Sequence, residues 1–261
     1  MKDMLNQVQD MLTVDAIMVA KSDLLTWRPG TDDSHVQQTI RDEEYNQVPV
    51  VNEHGEIRGL ATVAVPDRTL PPITDYHHVA PAWLVSADTS VRRLIDILDS
   101  SRHPARFVFQ EDQVVGLVTY ADLNDAVART ALYLLISQLE IKLARLLRHH
   151  DKSSWAYVGH LSKRRQEKFA QLREEMAQKD VTHDPIEHFN LTDVFEAIRN
   201  EPDLRERLGF PSKSKFDKAK SGINKMRNTV VHSVRLVVDG VHGVASVNRR
   251  CARLEAMLSR L

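Results

Sequence analysis

The sequence contains one cysteine, Cys251, among its 261 residues, so no disulfide can form within the chain. It has no unbroken apolar run of membrane-spanning length and no charged and then apolar leader. Gly-rich phosphate-binding loops, HExxH and Gly-x-Ser-x-Gly are also missing. These absences argue against a disulfide-stabilised scaffold, a membrane protein and three common kinds of enzyme site. We expect a cytoplasmic protein with no membrane partner and no bound metal.

Charge is divided unequally between the two halves of the chain. Residues 1 to 125 carry ten Lys/Arg against 20 Asp/Glu, a net charge of -10, whereas the remainder carries 25 against 16, a net charge of +9. The chain is long enough for two ordinary domains. A basic half joined to an acidic half suggests that only the C-terminal half meets a polyanion, although two solvated surfaces of opposite sign would give the same pattern.

The acidic half contains an internal repeat. A shift of 57 positions aligns VPVVNEHGEIRGLATVAV (48–65) with ARFVFQEDQVVGLVTYAD (105–122), so that Gly59 matches Gly116 and Thr62 matches Thr119. Each copy predicts an amphipathic helix followed by a hairpin of buried strands. The segment between the copies, residues 65–81, is rich in Pro and polar residues and predicts a linker.

This order of elements resembles the CBS domain, a β-α-β-β-α module that works as a tandem pair. The resemblance implies a tandem CBS regulatory domain over residues 1–128, with repeats at about 12–68 and 79–128. It also implies a regulatory adenine nucleotide (AMP, ADP, ATP or a signalling nucleotide) held by a Gly-x-x-Thr-x-x-Asp signature, here Gly116, Thr119 and Asp122. The first copy has Val65 in the carboxylate position, with Asp67 two residues further on. Thr119 and Asp122 would also serve simply to cap the next helix.

The basic half predicts an all-α bundle. One helix is expected from Asp122 to about His150, followed by three further helical stretches at 162–180, 190–209 and from 214 to the C-terminus. In the last stretch an apolar stripe at helical spacing contains Ile223, Met226, Val230, Val234, Val237 and Val241. Asn228 and His232 lie roughly opposite this stripe, one turn apart, and Arg227 lies at its edge.

RNTVVH, residues 227–232, is similar to the Arg-x4-His signature of the HEPN superfamily, many of whose members are metal-independent ribonucleases. The resemblance covers roughly residues 129–261 and implies a HEPN-like helical domain that assembles as a homodimer or larger homo-oligomer. It assigns His232 as acid/base, Arg227 as charge stabiliser and Asn228 as orienting group, with Glu140 as a supporting charge. His and Arg suit this chemistry because one titrates near neutrality and the other stays cationic.

Two functions are compatible with this sequence. The first is an adenine-nucleotide-regulated endoribonuclease that cleaves single-stranded RNA by 2′-hydroxyl attack without a catalytic cofactor, in stress or anti-phage defence as the resemblance implies. The alternative is a non-catalytic nucleotide sensor whose helical domain mediates dimerisation or binds RNA or protein. A further reading makes the CBS half a dimerisation scaffold without a ligand.

Overall fold

A computed structural model describes residues 4–72, 75–101, 103, 105–150, 152–179 and 184–261, apart from the side chains of residues 4–6 and 241. The chain divides into two compact units, Leu12–Asp125 and Met1–Met11 together with Ala126–Leu261. The first unit is α+β and the second is helical. This division assigns the first eleven residues to the helical unit.

The described residues of the α+β unit form two short sheets and two α-helices. Its strands are β1 (Val19–Ala20), β2 (Gln47–Val51), β3 (Ile57–Thr62), β4 (His77–His78), β5 (Leu84–Ser86), β6 (Ala105–Gln110) and β7 (Gln113–Thr119). Its helices are α2 (Ser34–Asp42) and α3 (Val91–Ser100). The sheets have strand orders β1-β7-β6-β5 and β2-β3-β4. Each repeat therefore supplies a helix and an antiparallel hairpin, as the sequence predicts.

The two repeats exchange edge strands. Strand β1, which precedes the first repeat's helix, pairs with β7 of the second repeat, with Ala20 opposite Gly116. Strand β4, which leads into the second repeat, pairs with β3 of the first, with His78 opposite Gly59. His77 and His78 thus lie in a strand rather than in the predicted linker, because the open edge of β3 supplies hydrogen-bond partners that the local sequence does not reveal.

Close packing of the exchanged strands explains why glycine recurs in both copies. A Cβ atom on Gly59 would lie 2.3 Å from the His77 carbonyl oxygen, and one on Gly116 would lie 2.5 Å from the Val19 carbonyl oxygen. Both distances are shorter than any ordinary carbon–oxygen contact, so neither position accepts a side chain without movement of the exchanged strand. The glycine at each position is therefore a requirement of the strand exchange.

The helical unit is built around one long helix. Its helices are α1 (Met4–Asp10), α4 (Ala126–Arg148), α5 (Lys163–Gln178), α6 (Leu191–Asn200), α7 (Pro202–Arg207), α8 (Lys213–Val231) and α9 (Gly240–Leu258). Helix α4 is buried along most of its length and packs against α1, α6, α8 and α9. It begins at Ala126, after a short 3-10 turn over Ala121–Asn124, and so starts later than the sequence predicts. None of the described helices is long and apolar enough to cross a membrane.

The predicted helical stretch from residue 214 to the C-terminus is wrong as one continuous helix, because α8 ends at Val231 and α9 begins at Gly240. Ile223, Met226 and Val230 are buried as the stripe requires, but the Val234 side chain is 93% exposed. Val237 is buried in the turn that follows α8, and the side chain of Val241 lies outside the described part of the chain. Val234 and Val237 therefore do not share a helix face with the buried residues of α8, because both lie in the turn that follows it.

Substitution of Gly116 by Ala tests the strand exchange. We expect G116A to lower the free energy of unfolding by about 1–3 kcal/mol, because the added methyl group overpacks the contact with Val19. Urea denaturation followed by tryptophan fluorescence measures the change. A Cβ atom added to Gly159 would have no heavy atom within 4 Å, so G159A is the matched control and should have little effect. Equal losses in the two variants would contradict the explanation.

Candidate functional site

Thr119 and Asp122 meet where β7 passes into the 3-10 turn. The Thr119 hydroxyl donates to Asp122 Oδ2 at 3.0 Å, and the Thr119 backbone N–H donates to the same oxygen at 2.6 Å. The Thr119 hydroxyl oxygen in turn accepts a hydrogen bond from the Ala121 N–H at 3.1 Å. The two side chains of the predicted nucleotide signature are thus brought together. Of the alternative capping role, the structure shows only the bond from Ala121 to Thr119, because the N-cap residue of the turn, Tyr120, makes no side-chain cap.

Burial shapes the electrostatics of this cluster. Burial raises the pKa of the Asp122 carboxyl group above its ordinary value, and the hydrogen bonds from Thr119 offset only part of that effect. Gly116, the first residue of the signature, lies three residues earlier in β7, opposite Ala20 of β1. Glycine is required at position 116 by this strand pairing, while Thr119 and Asp122 supply the polar atoms of the cluster.

The first repeat has a different arrangement at the matching position. Val65 is exposed, and the chain folds back so that Ala64 bridges Thr69. Arg68 closes this turn by donating to the Glu44 carbonyl oxygen at 2.5 Å and to Asn46 Oδ1 at 3.0 Å. Asp67, the alternative carboxylate, is exposed in the same turn. The Thr–Asp pair therefore forms only in the second of the two described repeats.

The Arg-x4-His residues lie at the C-terminal end of α8. Arg227 and Asn228 occupy its last turn, and the Arg227 Nη1 and Asn228 Oδ1 atoms are 3.4 Å apart. His232 follows the last helical residue, with its backbone N–H donating to the Asn228 carbonyl oxygen at 3.3 Å. Asn228 and His232 are both exposed, and Arg227 is half-buried. The three residues are close in the chain and in space, although His232 lies beyond the helix rather than on it.

Glu140 of α4 belongs to the same region. The carboxylate accepts a hydrogen bond from the Leu191 backbone N–H at the start of α6, and it interacts electrostatically with Arg227 of α8. Burial raises the pKa of the Glu140 carboxyl group, and the Arg227 charge and the Leu191 N–H act in the opposite direction. One half-buried carboxylate thus bonds to the start of α6 and acts electrostatically on the cation of the predicted site.

A polar groove of about 660 Å³ runs beside this helix end. Basic side chains line it, namely Lys220, Lys225 and Arg235, together with the polar side chains of Ser221, Asn224, Asn228 and Thr229. Lys220 is paired with Glu196 at 2.6 Å. The groove therefore presents positive charge and hydrogen-bond donors next to Asn228, an arrangement suited to a phosphate-bearing chain.

Arg129 of α4 orders the turn that carries His232, and sequence reasoning missed it. Its guanidinium donates to the Thr229 carbonyl oxygen at 3.0 Å, to the His232 carbonyl oxygen at 3.4 Å and to the Arg235 carbonyl oxygen. These carbonyls belong to the unsatisfied end of α8 and to the following turn, where a cation is favourable. Arg129 precedes His232 by about one hundred residues, so no local pattern pointed to it.

The fold and the strand exchange define the α+β unit as a paired β-α-β-β module. Residues 75–129, which contain the second repeat, match the family model of the CBS domain. The comparison with curated proteins finds no match.

Several solved structures resemble part of the chain. A CBS domain of the bacterial CNNM/CorC family Mg²⁺ transporter in complex with ATP is 18% identical and covers 46% of this chain and 89% of its own, with a TM-score of 0.37. A hemolysin-like protein containing a CBS domain from Oenococcus oeni PSU is 16% identical, covering 46% and 93%, with a TM-score of 0.35. The CBS domain of a putative transporter from Clostridium difficile 630 is 13% identical, covering 44% and 93%, with a TM-score of 0.38.

Replacement of Asp122 by Asn tests the burial of its carboxyl group. The folded-state pKa is raised above the unfolded value of about 3.9, so the folded protein holds this proton more tightly. Ionisation of Asp122 therefore lowers the free energy of unfolding as pH rises through that value towards the folded-state pKa. The asparagine side chain of D122N keeps an acceptor oxygen for Thr119 and cannot ionise. We expect D122N to gain stability relative to the natural protein between about pH 4 and pH 7.

Urea denaturation across that pH range measures this difference. Asp67 is exposed in the first repeat, so D67N serves as the matched control and should show no such trend. A stability difference between D122N and the natural protein that stays constant with pH would contradict the predicted burial effect.

Proposed function

We propose that this protein is a nucleotide-regulated, metal-independent endoribonuclease that cleaves single-stranded RNA at Arg227, Asn228 and His232. The observation that carries the proposal is the position of these residues at one open helix end. Arg227 interacts electrostatically with Glu140, and Asn228 lines a basic groove next to the exposed His232. The net charge of +9 over residues 126–261 supports a polyanionic substrate.

The chemistry assigns one role to each side chain. His232 takes the proton of the ribose 2′-hydroxyl or protonates the leaving 5′-oxygen, since imidazole titrates near neutral pH. Arg227 stabilises the negative charge that develops on the pentavalent phosphorus, and Asn228 orients the phosphate through its amide. Attack of the 2′-oxygen on phosphorus expels the 5′-oxygen and leaves a 2′,3′-cyclic phosphate.

The same reaction needs an acid and a base at one phosphate. A homodimer in which two α8 ends face each other supplies two His232 side chains to one cleft, and its interface is isologous. Val231, Val234 and Leu236 support this arrangement, because these apolar side chains are exposed around His232. Dilution that separates the protomers should therefore abolish cleavage.

The regulatory ligand is an adenine nucleotide bound at the second repeat. Thr119 and Asp122 provide a hydroxyl and a carboxylate for the ribose hydroxyls of the nucleotide. The nucleotide regulates cleavage only if it binds two arrangements of the protein with different affinity.

Cleavage of a labelled single-stranded RNA in EDTA tests the enzymatic proposal. We expect the natural protein to produce cyclic-phosphate ends and H232A to be slower by about 10²- to 10⁴-fold, because a general acid–base group is lost. R227K keeps the charge but loses the planar fork, and it should also be slow. H242A removes another exposed histidine of the same unit and should retain activity.

Arg129 provides a positioning variant. R129M removes the hydrogen bonds to the His232 turn and should lower kcat more than it changes KM. Cleavage that is absent, or that is unchanged in H232A, would favour the non-catalytic sensor, with RNTVVH as an interface.

Calorimetric titration with AMP, ADP and ATP tests the regulatory site separately. We expect D122A to lose binding, because the carboxylate that receives the ribose hydroxyls is removed. D67A alters the corresponding region of the first repeat and should bind as the natural protein does. Unchanged affinity in D122A would show that the ligand, if bound, uses a different site.

A further inference from the structure

A cluster of titratable side chains lies at the junction of α6 and α7, and the proposed function does not use it. His150 follows the end of α4, while Glu201 lies between α6 and α7 and Asp203 lies in the first turn of α7. One ligand atom from each of these three residues lies within 4.8 Å of the other two. His160, at the end of a 3-10 helix (Ser154–His160), adds a second imidazole, since its Nε2 atom is 2.8 Å from Glu201 Oε1.

From this cluster we propose that His150, Glu201 and Asp203 bind a divalent transition-metal ion, Zn²⁺ by preference, while His160 orients Glu201 through the contact with Oε1. One imidazole nitrogen and two carboxylate oxygens are donors that Zn²⁺ accepts, and a water molecule completes a tetrahedral site. The ion pins the segment that follows α4 to the α6–α7 junction. It is structural and distinct from the metal-independent chemistry proposed for His232.

The charges at the cluster favour a cation. The Glu201 side chain is only 4% exposed, and a buried carboxylate requires compensation. Lys152 Nζ lies 2.6 Å from Glu201 Oε2 and supplies one positive charge against the two carboxylates of Glu201 and Asp203. With neutral imidazoles the cluster is therefore left with net negative charge.

The hydrogen bonds of His150 prepare its ring for a metal. Its Nδ1 atom lies 2.6 Å from the hydroxyl oxygen of the buried Tyr157, and its Nε2 atom lies 2.7 Å from Asp203 Oδ2. If Nδ1 carries the proton and donates it to Tyr157, the Nε2 lone pair is directed at the carboxylate side of the cluster. Histidine ligands in metal sites are held in this way through their second nitrogen.

Access and geometry allow an ion to enter. Asp203 and Lys152 have side chains that are 63% and 47% exposed, so the cluster opens to solvent on their side. Ligand atoms around tetrahedral zinc are roughly 3.3 Å apart, given metal–ligand distances of about 2.0–2.1 Å. The 2.7 Å contact between His150 and Asp203 therefore has to widen by about 0.6 Å, and Glu201, whose ligand atom lies within 4.8 Å of both, has to adjust to the same spacing. The flexible Lys152 ammonium also has to leave Glu201.

Metal binding is tested on the full-length protein after removal of metal by a chelator. We expect one Zn²⁺ per chain by elemental analysis after dialysis, and a Co²⁺ derivative with the intense visible bands of tetrahedral coordination. H150A and D203N should each weaken binding by at least about tenfold. H149A removes the neighbouring exposed histidine and should bind as the natural protein does.

Lys152→Met distinguishes a metal site from a network of ion pairs. K152M removes the competing cation, so Zn²⁺ affinity should rise, and Zn²⁺ should raise the melting temperature of K152M and of the natural protein but not of H150A. Failure to bind Zn²⁺ or Co²⁺ at micromolar concentration would overturn the proposal, as would binding unaffected by both H150A and D203N. The exposed position of Asp203 makes D203N the variant least able to disturb folding.

This result is independent of the ribonuclease assay. H150A lacks the proposed metal ligand but retains Arg227, Asn228 and His232, so its RNA cleavage reports on the catalytic proposal alone. A protein that binds zinc but does not cleave RNA would contradict only the catalytic proposal, and the converse result would contradict only the metal site.

Discussion

Helix α4 is buried along most of its length, so each polar group that it carries into the helical unit needs a partner there. Arg129 meets this requirement by donating to the carbonyl oxygens at the end of α8 and in the following turn. Glu140 meets it through the Leu191 N–H and the charge of Arg227. The hydrogen bonds of Arg129 therefore order the His232 turn, while Glu140 places a negative charge that acts on Arg227.

In the α+β unit the corresponding constraint is the approach of two exchanged strands. Gly59 and Gly116 lie against the backbone of β4 and β1, so glycine recurs because neither position has room for a side chain beside the paired strand. The repeats diverge just beyond these strands, where Thr119 and Asp122 cluster in one copy and Arg68 closes the turn in the other. The two repeats thus share a scaffold that depends on glycine, but only the second repeat carries the polar site, because only it has a carboxylate at the position of Asp122.

The cluster of His150, Glu201 and Asp203 lies where α6 is followed directly by α7. Pro202 starts α7 immediately after Glu201, so Glu201 is the N-cap residue of this helix and Asp203 lies in its first turn. His150 and His160 reach them from the segment after α4. Although burial of Glu201 by itself raises its pKa, hydrogen bonds from Lys152 and His160 lower the pKa below its ordinary value.

The sequence by itself determined the features that depend on local spacing. The repeat, its helices and hairpins, the helical character of the second half and the buried stripe through Ile223, Met226 and Val230 follow from periodicity and turn residues. The contact between Thr119 and Asp122 could be predicted from their spacing alone, since they lie three positions apart within one turn.

Only the tertiary structure decided the features that depend on partners distant in the chain. Such partners decide that α8 ends at Val231 and that His77 and His78 form a strand. They also decide that Glu140 interacts electrostatically with Arg227. Hydrogen bonds and charges act over a few ångströms of space whatever the separation along the chain. Periodicity in the sequence describes which residues share a face, but it does not say which carbonyl, edge strand or cation that face will meet.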